Sequence, residues 1–251
     1  MPFQPTIQRF DSIDSTNLEA MRQAKAGAPE GLCIVAREQT RGRGRLDRSW
    51  QSPTDAGLYM SLLLRPNFPV HAWPLITLMA AIAVRDALLK TCGFSADIKW
   101  PNDLCMNDKK LCGILAETLE TSAGGAVVVG IGINLTSEIL PVVQAEATSI
   151  ESVTGEKPDR ERVLDGLLKS IIGKYELLDN DEGREHIIRE WCAHSSYAVG
   201  RQVRVSLGVE SFEGTTRGLE SDGALRVETS DGKMRVVRAG DVTALRSSAL
   251  R

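Results

Sequence analysis

The sequence predicts an α+β protein in two parts, a larger part that mixes strands with amphipathic helices and a small all-β part at the C-terminus. The first observation is a set of short apolar runs of strand length, such as residues 32–36 and 58–64. The second is the helical spacing of apolar residues over residues 73–89 and 159–178. The third is a change of character after Tyr197, where short strands alternate with glycine-containing turns.

The first helix is predicted from about residue 16 to residue 26. Residues 14–17 (DSTN) offer helix-capping side chains, and Thr16 and Glu19 have the spacing of a capping box. The hydroxyls of Ser15 and Thr16 either only cap this helix or also face a ligand at its positive end. On the sequence alone, capping is the preferred interpretation.

The remaining elements follow from the same kind of pattern. Further strands of the larger part are predicted at residues 32–38, 58–64, 104–106, 110–117 and 127–135. Further helices are predicted at residues 73–89, 159–178 and 182–192. Strands of the C-terminal part are predicted at residues 203–207, 212–219, 225–229 and 234–237, and such a run of short strands indicates a small barrel.

The composition bounds the partners of the protein. The chain has 251 residues, of which 42% are hydrophobic, enough for one or two domains with a substantial core. Its 30 Lys and Arg against 33 Asp and Glu give a net charge of −3, which argues against general nucleic-acid binding. The longest apolar run, residues 75–84, is short for a bilayer, and the first residues lack a signal-peptide pattern, so neither membrane insertion nor secretion is expected.

The cysteines and histidines indicate the compartment and the absence of a structural metal. Five dispersed cysteines without Cys-x-x-Cys spacing are typical of reduced thiols, so a cytoplasmic protein is expected. The three histidines form no metal-binding pattern with them.

The most distinctive stretch is residues 39–50, QTRGRGRLDRSW, which lies between two predicted strands. Its four arginines within eight residues concentrate positive charge that favours an anionic ligand. Gly42 and Gly44 lack a Cβ, so their backbone can take positive φ and approach phosphate or carboxylate oxygens closely. Arg/Gly runs also occur in disordered nucleic-acid-binding tails, but this run is short, unrepeated and held at both ends by strands.

Two later stretches add polar groups. Asn102 and Asp103 follow a proline at a strand end, where an amide beside a carboxylate can hold a hydrated Mg²⁺ against phosphates, although Asn-Asp is also an ordinary turn sequence. Lys110 begins a strand in which Gly113 permits close approach, although a lone lysine is usually a solvated surface charge. The glycines of GIGIN, residues 130–134, weaken a strand unless a ligand or another backbone presses against it.

These features favour electrostatic stabilisation over covalent catalysis. The sequence contains no evident nucleophile–base pair and no Gly-x-Ser-x-Gly motif. An arginine-rich glycine loop and a strand lysine suit a reaction that brings two anions together, such as the activation of a carboxylate by ATP.

Five separated motifs resemble those of the biotin protein ligases, in order and at family-like intervals. They are DSTN at 14–17, QTRGRGRLDRSW at 39–50, KWPND at 99–103, KLCGIL at 110–115 and GIGIN at 130–134. The resemblance implies an α/β (α+β) fold: a class II synthetase-like catalytic domain with a mixed β-sheet and helices at residues 1–197, followed by a small C-terminal SH3-like β-barrel at residues 198–251.

The resemblance also implies a reaction in two steps. Biotin and ATP, with Mg²⁺, form biotinyl-5′-AMP and pyrophosphate, and a lysine of the biotin carboxyl carrier protein of acetyl-CoA carboxylase then attacks the mixed anhydride. A homodimer through a sheet edge is common in the family and is left open here. Some members carry a DNA-binding domain in front of the catalytic domain, and the few residues before Asp14 make us expect a ligase-only form that binds no DNA.

Site residues are carried over from the matching motifs. Those expected to bind biotin are Ser15, Thr16, Asn17, Gln39, Gly42, Arg43, Gly44, Arg45, Trp50, Lys110, Gly113 and Gly130. Those expected to bind ATP are Arg45, Arg48, Asn102 and Asn134. Arg45 and Lys110 are expected to be catalytic, and Asp103 is the expected metal ligand.

Two other interpretations stay open at this point. Lipoate and octanoyl ligases and transferases share the catalytic fold, although the arginine-glycine loop speaks against them. A regulator that binds an effector, or a nucleic-acid binder built on the arginine loop, would form no adenylate. A nucleic-acid binder of this kind would need a basic surface elsewhere, which the net charge of −3 does not support.

Overall fold

The structure is a computed structural model that describes residues 4–139 and 146–245, and its larger part is built on one seven-stranded sheet. The strands are β1 (Thr6–Ile13), β2 (Leu32–Gln39), β3 (Gly57–Leu64), β4 (Asp97–Lys99), β5 (Asp103–Met106), β6 (Lys109–Thr121) and β7 (Gly124–Asn134). Their order in the sheet is β1-β2-β3-β7-β6-β5-β4. Only the β1–β2 pair is parallel among these neighbours, so the sheet is mixed and the predicted α+β class is confirmed.

Helices cover both faces of this sheet. They are α1 (Thr16–Lys25), α2 (Leu75–Cys92), α3 (Ile150–Thr154), α4 (Arg160–Tyr175) and α5 (Asp181–Ala193). The four helices predicted from apolar spacing are confirmed, with ends displaced by a few residues, and the predicted end of α4 continues as a 3₁₀ turn, Glu176–Asp179. The short helix α3 and the edge strand β1 were not predicted.

Strand β3 is buried on both faces and divides the core in two. Its alternate residues Leu62 and Leu64 pack in the larger core with α2, whereas Leu63 packs in the smaller core with Ala20 and Ala24 of α1. Ser61 shares the α1 face of the strand and is fully buried. A polar side chain therefore lies beneath the N-terminal end of α1.

Helix α2 is the central helix of the larger core. Residues 70–92, which contain it, include an 18-residue window with a mean hydropathy of 1.6 and are, by length and composition alone, long enough to cross a membrane. Within the structure 67% of that window is buried, as expected for a core helix between a sheet and other helices. The helix ends at Gly93, whose φ of 77° places it in the left-handed region favoured by glycine.

The C-terminal part is a five-stranded antiparallel sheet. Its strands are β8 (Val199–Leu207), β9 (Glu210–Leu219), β10 (Leu225–Glu228), β11 (Met234–Val237) and β12 (Asp241–Ala244), in the order β11-β10-β9-β8-β12. Four of these strands were predicted, and β12 was not. Residues of this sheet, such as Val205 and Leu225, belong to the same core cluster as α2, and the indole of Trp100 donates to the carbonyl of Gly223 at 3.1 Å.

Gly173 of α4 and Gly183 of α5 allow a matched test of how these two helices are packed. An alanine Cβ at Gly173 of α4 would meet nothing within 4 Å, whereas at Gly183 of α5 it would stand 1.9 Å from the carbonyl oxygen of Leu177. Gly173→Ala should raise the free energy of unfolding by about 0.5–1 kcal/mol, since it removes backbone entropy from the unfolded chain. Gly183→Ala should lower it by roughly 1–3 kcal/mol through overpacking. Urea denaturation followed by circular dichroism measures both, and shifts of the same sign would contradict the packing described.

Candidate functional site

The predicted site residues meet in one cavity over the sheet. The cavity encloses about 750 Å³ with its open mouth, a size that suits a small-molecule ligand. All predicted site residues except Gly42 and Asn134 line it. Lining residues that the sequence analysis did not assign to the site are Ser49, Met60, Ile114, Leu115, Ile131, Gly132 and Asp241.

The N-terminal end of α1 forms a polar wall of the cavity. Ser15 occupies the N-cap position but makes no side-chain capping bond, so the capping interpretation is wrong. The backbone N–H and the hydroxyl of Thr16 both donate to Gln39 Oε1, at 2.8 and 3.0 Å. The Gln39 amide nitrogen in turn donates to Ser52 Oγ at 2.8 Å. These bonds orient the Gln39 side chain with its amide oxygen toward α1 and its amide nitrogen toward Ser52. The predicted capping box also fails, because the Glu19 side chain pairs with Arg22 instead.

Asn17 of α1 extends this polar wall across the face of the sheet. Its Oδ1 lies 2.5 Å from Ser61 Oγ, and its Nδ2 donates to the carbonyl of Leu115 at 3.2 Å and to Glu117 Oε2 at 2.9 Å. The side chain crosses β7 at Gly130, where a Cβ would stand 2.1 Å from Oδ1. The glycine is therefore required by an asparagine side chain, a contact that the sequence pattern did not predict.

The arginine loop, residues 40–50, is an ordered turn. The N–H of Gly44 donates to the carbonyl of Arg48 at 2.7 Å, and the N–H of Trp50 donates to the carbonyl of Gly42 at 2.8 Å. Positive φ occurs at Leu46 and at the following Asp47 (53° and 58°), not at the two glycines as predicted. Gly42 is needed for close approach, since its Cβ would stand 2.2 Å from the carbonyl oxygen of Trp50.

Trp50 forms an apolar wall against two strand glycines. Its ring would be 2.5 Å from a Cβ at Gly132 and 2.9 Å from one at Gly113. Its buried Nε1 has no hydrogen-bond partner within the described residues. The ammonium of Lys110 lies 5.3 Å from the ring centroid, a favourable cation–π distance.

The cations of the cavity each have a partner. Lys110 Nζ lies 2.7 Å from Asp103 Oδ1, so this lysine is not a solvated surface charge. Arg45 donates to Asn102 Oδ1 at 3.1 Å and to the carbonyl of Gly240 at 3.2 Å. Burial lowers the pKa of Arg45 from its ordinary value, although Asp241 and Asp103 oppose that shift.

The remaining loop arginines are paired as well. Arg48 forms an ion pair with Asp241 of β12, and Arg43 lies 3.0 Å from Glu117 of β6. Asp241 therefore brings a carboxylate of the C-terminal sheet into the cavity. The local sequence around Asp241 carries no signal for this, since its partner Arg48 is 193 residues away.

Asn134 lies just outside this cavity, in a groove between the two sheets. The groove and the cavity share Lys110, Trp50 and Asp103 among their lining residues. Asn134 is 2% exposed and its Nδ2 donates to the carbonyl of Thr148 at 2.9 Å. Its buried Oδ1 has no hydrogen-bond partner in the part of the chain that the structure describes, which leaves an acceptor for a ligand N–H.

Two cysteines on the strands beside the cavity are buried. Cys105 pairs in register with Lys110, and burial raises the pKa of Cys105 to about 12. Burial raises the pKa of Cys112 as well. This direction of shift favours the protonated thiol, which is a poor nucleophile.

The described lining of the cavity includes two carboxylates, Asp103 and Asp241. Within residues 4–139 and 146–245, no group of three His, Cys, Asp or Glu side chains could hold a metal. Asp103 engages Lys110 through Oδ1 and is 21% exposed. An accessible carboxylate of this kind fits Mg²⁺ that arrives with a nucleotide, because Mg²⁺ commonly binds one or two carboxylates together with substrate phosphates.

Comparison with known proteins places these features in context. Residues 9–134 match the model of the biotin/lipoate A/B protein ligase family, and residues 198–243 match that of the biotin protein ligase C-terminal domain. The biotin–acetyl-CoA-carboxylase ligase of Mycobacterium tuberculosis is 33% identical over 92% of this chain and 86% of that protein. The bifunctional ligase/repressor BirA of Bacillus spizizenii is 37% identical over 91% of this chain and 71% of that protein.

A solved structure agrees with the fold over nearly the whole chain. The biotin protein ligase from Aquifex aeolicus, in complex with biotin and ATP, superimposes with a TM-score of 0.82 at 30% identity. The match covers 98% of this chain and 100% of that chain.

The crossing of Asn17 over Gly130 is open to a direct test. Gly130→Ala should lower the free energy of unfolding by about 1–3 kcal/mol, because the new methyl group displaces a buried amide from its partners. In an Asn17→Ala background the same substitution should cost less than about 1 kcal/mol, since the clash is gone. Chemical denaturation of the four proteins gives both values, and an equal cost in the two backgrounds would contradict the crossing.

Proposed function

Since the chain belongs to the biotin protein ligase family, we propose that the cavity at the N-terminal end of α1 is where it binds biotin and ATP. The chain is an ATP-dependent ligase that converts biotin to biotinyl-5′-AMP and transfers the biotinyl group to an acceptor protein, the biotin carboxyl carrier. One observation carries the assignment of the site. A polar wall at Thr16 and Gln39 and the cations Arg45 and Lys110 line the same cavity.

The polar wall suits the ureido ring of biotin. Such a ring presents a carbonyl acceptor and two N–H donors, so it needs donors and acceptors at fixed positions. Thr16, Asn17 and Gln39 supply hydroxyl and amide groups whose orientation is set by hydrogen bonds within the wall, and Ser15 adds a further hydroxyl. Gly130 also belongs to this wall, because it lets Asn17 lie flat against β7.

Trp50 suits the apolar part of the substrate. Its indole lies against Gly113 and Gly132 and leaves an apolar face beside the alkyl side chain of Lys110. Biotin carries a thioether ring and an alkyl chain, which gain free energy on leaving water. Gly44 lines the same cavity, and Gly42 lets the loop backbone approach the carbonyl of Trp50 closely.

Lys110 and Arg45 supply the charge for the first step. A carboxylate oxygen of biotin attacks the α-phosphorus of ATP, a P–O bond to pyrophosphate breaks, and negative charge develops on the phosphate oxygens. An ammonium and a partly buried guanidinium fixed at this place stabilise that charge without reorganisation. In the second step the acceptor lysine amine attacks the acyl carbon, AMP leaves, and the amine gives up a proton.

The nucleotide has candidate partners around these cations. Arg48 and Asn102 would meet the phosphates, and the buried Oδ1 of Asn134 would accept an N–H from the nucleotide. Asp103 would hold Mg²⁺ together with the phosphates, and the ion would neutralise part of their charge. Arg43 and the other loop residues would shield the acyl phosphate from water.

The identity of the acceptor and the setting of the reaction are proposals. We infer that the acceptor is the carrier protein of acetyl-CoA carboxylase, as the name of the Mycobacterium tuberculosis relative states for that protein. A cytoplasmic location agrees with the five free cysteines in the described residues. The catalytic part is proposed to span residues 1–197 and the barrel part residues 198–251.

No DNA-binding role is proposed, although the Bacillus spizizenii relative is named a repressor. Arg43, Arg45 and Arg48 of the loop are each paired within the protein, and the net charge is −3. A homodimer is equally a proposal, and the edge strand β1 of the large sheet is where it would form.

Substrate identity is tested by release of pyrophosphate from ATP in the presence of Mg²⁺. Biotin should support release and yield biotinyl-5′-AMP by mass spectrometry, whereas lipoate and octanoate in parallel reactions should not. Activity with lipoate or octanoate instead would move the protein to the neighbouring branch of the family. No adenylate with any of the three acids would contradict the ligase assignment.

Lys110 is tested against an exposed lysine that lies outside the cavity and the groove. Lys110→Ala should lower the rate of biotinyl-5′-AMP formation by about 10²–10³-fold, because it removes a cation from the developing charge. Lys90→Ala, at an exposed position of α2, should leave the rate within about twofold. Single-turnover kinetics measures both, with thermal denaturation as a control for folding. A Lys110→Ala enzyme of unchanged rate would remove Lys110 from the mechanism.

A further inference from the structure

Glu117 of β6 lies behind the cavity wall and has no role in the reaction described above. Its side chain is 19% exposed and does not line the cavity. Arg43 Nη1 of the arginine loop lies 3.0 Å from Oε1 and donates to Oε2 at 3.2 Å, and Oε2 also accepts a hydrogen bond from Asn17 Nδ2 at 2.9 Å. A single carboxylate therefore holds a residue of the loop and a residue of the pocket wall.

These contacts complete a continuous chain of polar side chains that begins in the arginine loop and ends just after it. In order, the chain runs through Arg43, Glu117, Asn17, Ser61, Thr16, Gln39 and Ser52. Its first member belongs to the arginine loop, and its last member stands two residues after Trp50 at the end of that loop. The chain thus closes on the segment that faces the ligand, so the position of the loop and the shape of the pocket wall are coupled.

Among the described residues, Glu117 is also the only ion-pair partner of Arg43. Arg45 and Arg48 pair instead with Asp241 of the C-terminal sheet, and Arg45 also donates to Asn102 of the larger part. Arg43 is therefore the loop arginine whose ion pair is formed with a strand of the large sheet. A charge-assisted hydrogen bond is stronger than a neutral one and fixes a direction as well as a distance.

We propose that Glu117 is a positioning residue that clamps the arginine loop over the biotinyl-5′-AMP intermediate through Arg43 and links that clamp to the pocket wall through Asn17. The proposal rests on the proposed function, because it concerns how long the intermediate is retained. The acyl phosphate reacts with water, so retention of the closed loop protects it until the acceptor lysine arrives. Glu117 itself does not touch the reacting atoms.

Glu117→Gln removes the charge of this residue and keeps its shape. Its amide oxygen, in the place of Oε2, can still accept from Asn17, whereas the neutral side chain forms no ion pair with Arg43 and its amide nitrogen cannot accept from Arg43 in the place of Oε1. The expected result is an increase of about tenfold in the rate at which preformed biotinyl-5′-AMP leaves the enzyme, the loss expected for one charge-assisted hydrogen bond. The single-turnover rate of adenylate formation at saturating biotin should stay within about twofold, because Lys110 and Arg45 are untouched.

The matched control is Glu120→Gln on the same strand. Glu120 is exposed and makes no ion pair within the described part of the chain, so its variant should release the intermediate at the wild-type rate. A double-mutant cycle then tests the role of Arg43. In an Arg43→Gln background, Glu117→Gln should add little to the release rate, because the pair is already broken.

The possible outcomes distinguish a failure of the proposed positioning role of Glu117 from a failure of the proposed ligase function. If the wild-type enzyme forms no biotinyl-5′-AMP, the proposed function fails before the clamp is tested, and the clamp fails with it. If wild type forms the intermediate and Glu117→Gln retains it normally, or releases it faster by the same factor in the Arg43→Gln background, the clamp is overturned. Slower release from Glu117→Gln would overturn it too, since Arg43 would then bind the ligand better when unpaired. Unchanged chemical denaturation of the variants excludes a folding defect.

Discussion

The two hydrogen bonds that Gln39 Oε1 accepts from Thr16 are the contact on which the site depends. Gln39 is the last residue of β2, and Thr16 is the first residue of α1, so this contact joins the sheet to the helix at the point where the arginine loop begins. Ser61 beneath them and Ser52 beside them complete the wall. Because these groups are buried and bonded to one another, their orientation is fixed before a ligand arrives, which lowers the cost of binding.

The cationic side chains in and around the cavity are likewise bonded to groups within the protein. Lys110 is held by Asp103, Arg43 by Glu117, and Arg48 by Asp241. An unpaired cation in a partly buried site would cost free energy of desolvation, and a paired carboxylate offsets that cost. These ion pairs explain how a protein of net charge −3 can carry a dense cationic loop.

The two sheets act together at this site because the C-terminal one contributes to it. The carboxylate of Asp241 and the carbonyl of Gly240 hold loop arginines, and the Trp100 indole donates to Gly223 of the C-terminal part. Apolar residues of both sheets share one core cluster. The C-terminal sheet is therefore part of the loop's environment, and a change in its position would alter the charge available to the phosphates.

The sequence by itself determined most of the helices and strands and predicted most of the residues that line the cavity. Helices and strands follow from local periodicity, whereas the amphipathic edge strand β1 has no fully buried residue and β12 has one buried residue, Val242. Clustered motifs marked the residues that line the cavity. Tertiary structure alone decided which contacts these residues make. Thr16 bonds Gln39 instead of capping α1, and Asp241 forms an ion pair with the arginine loop. The side chains of Asn17 and Trp50 occupy the space that a Cβ at the strand glycines would need. Those contacts join distant parts of the chain, so no local pattern encodes them.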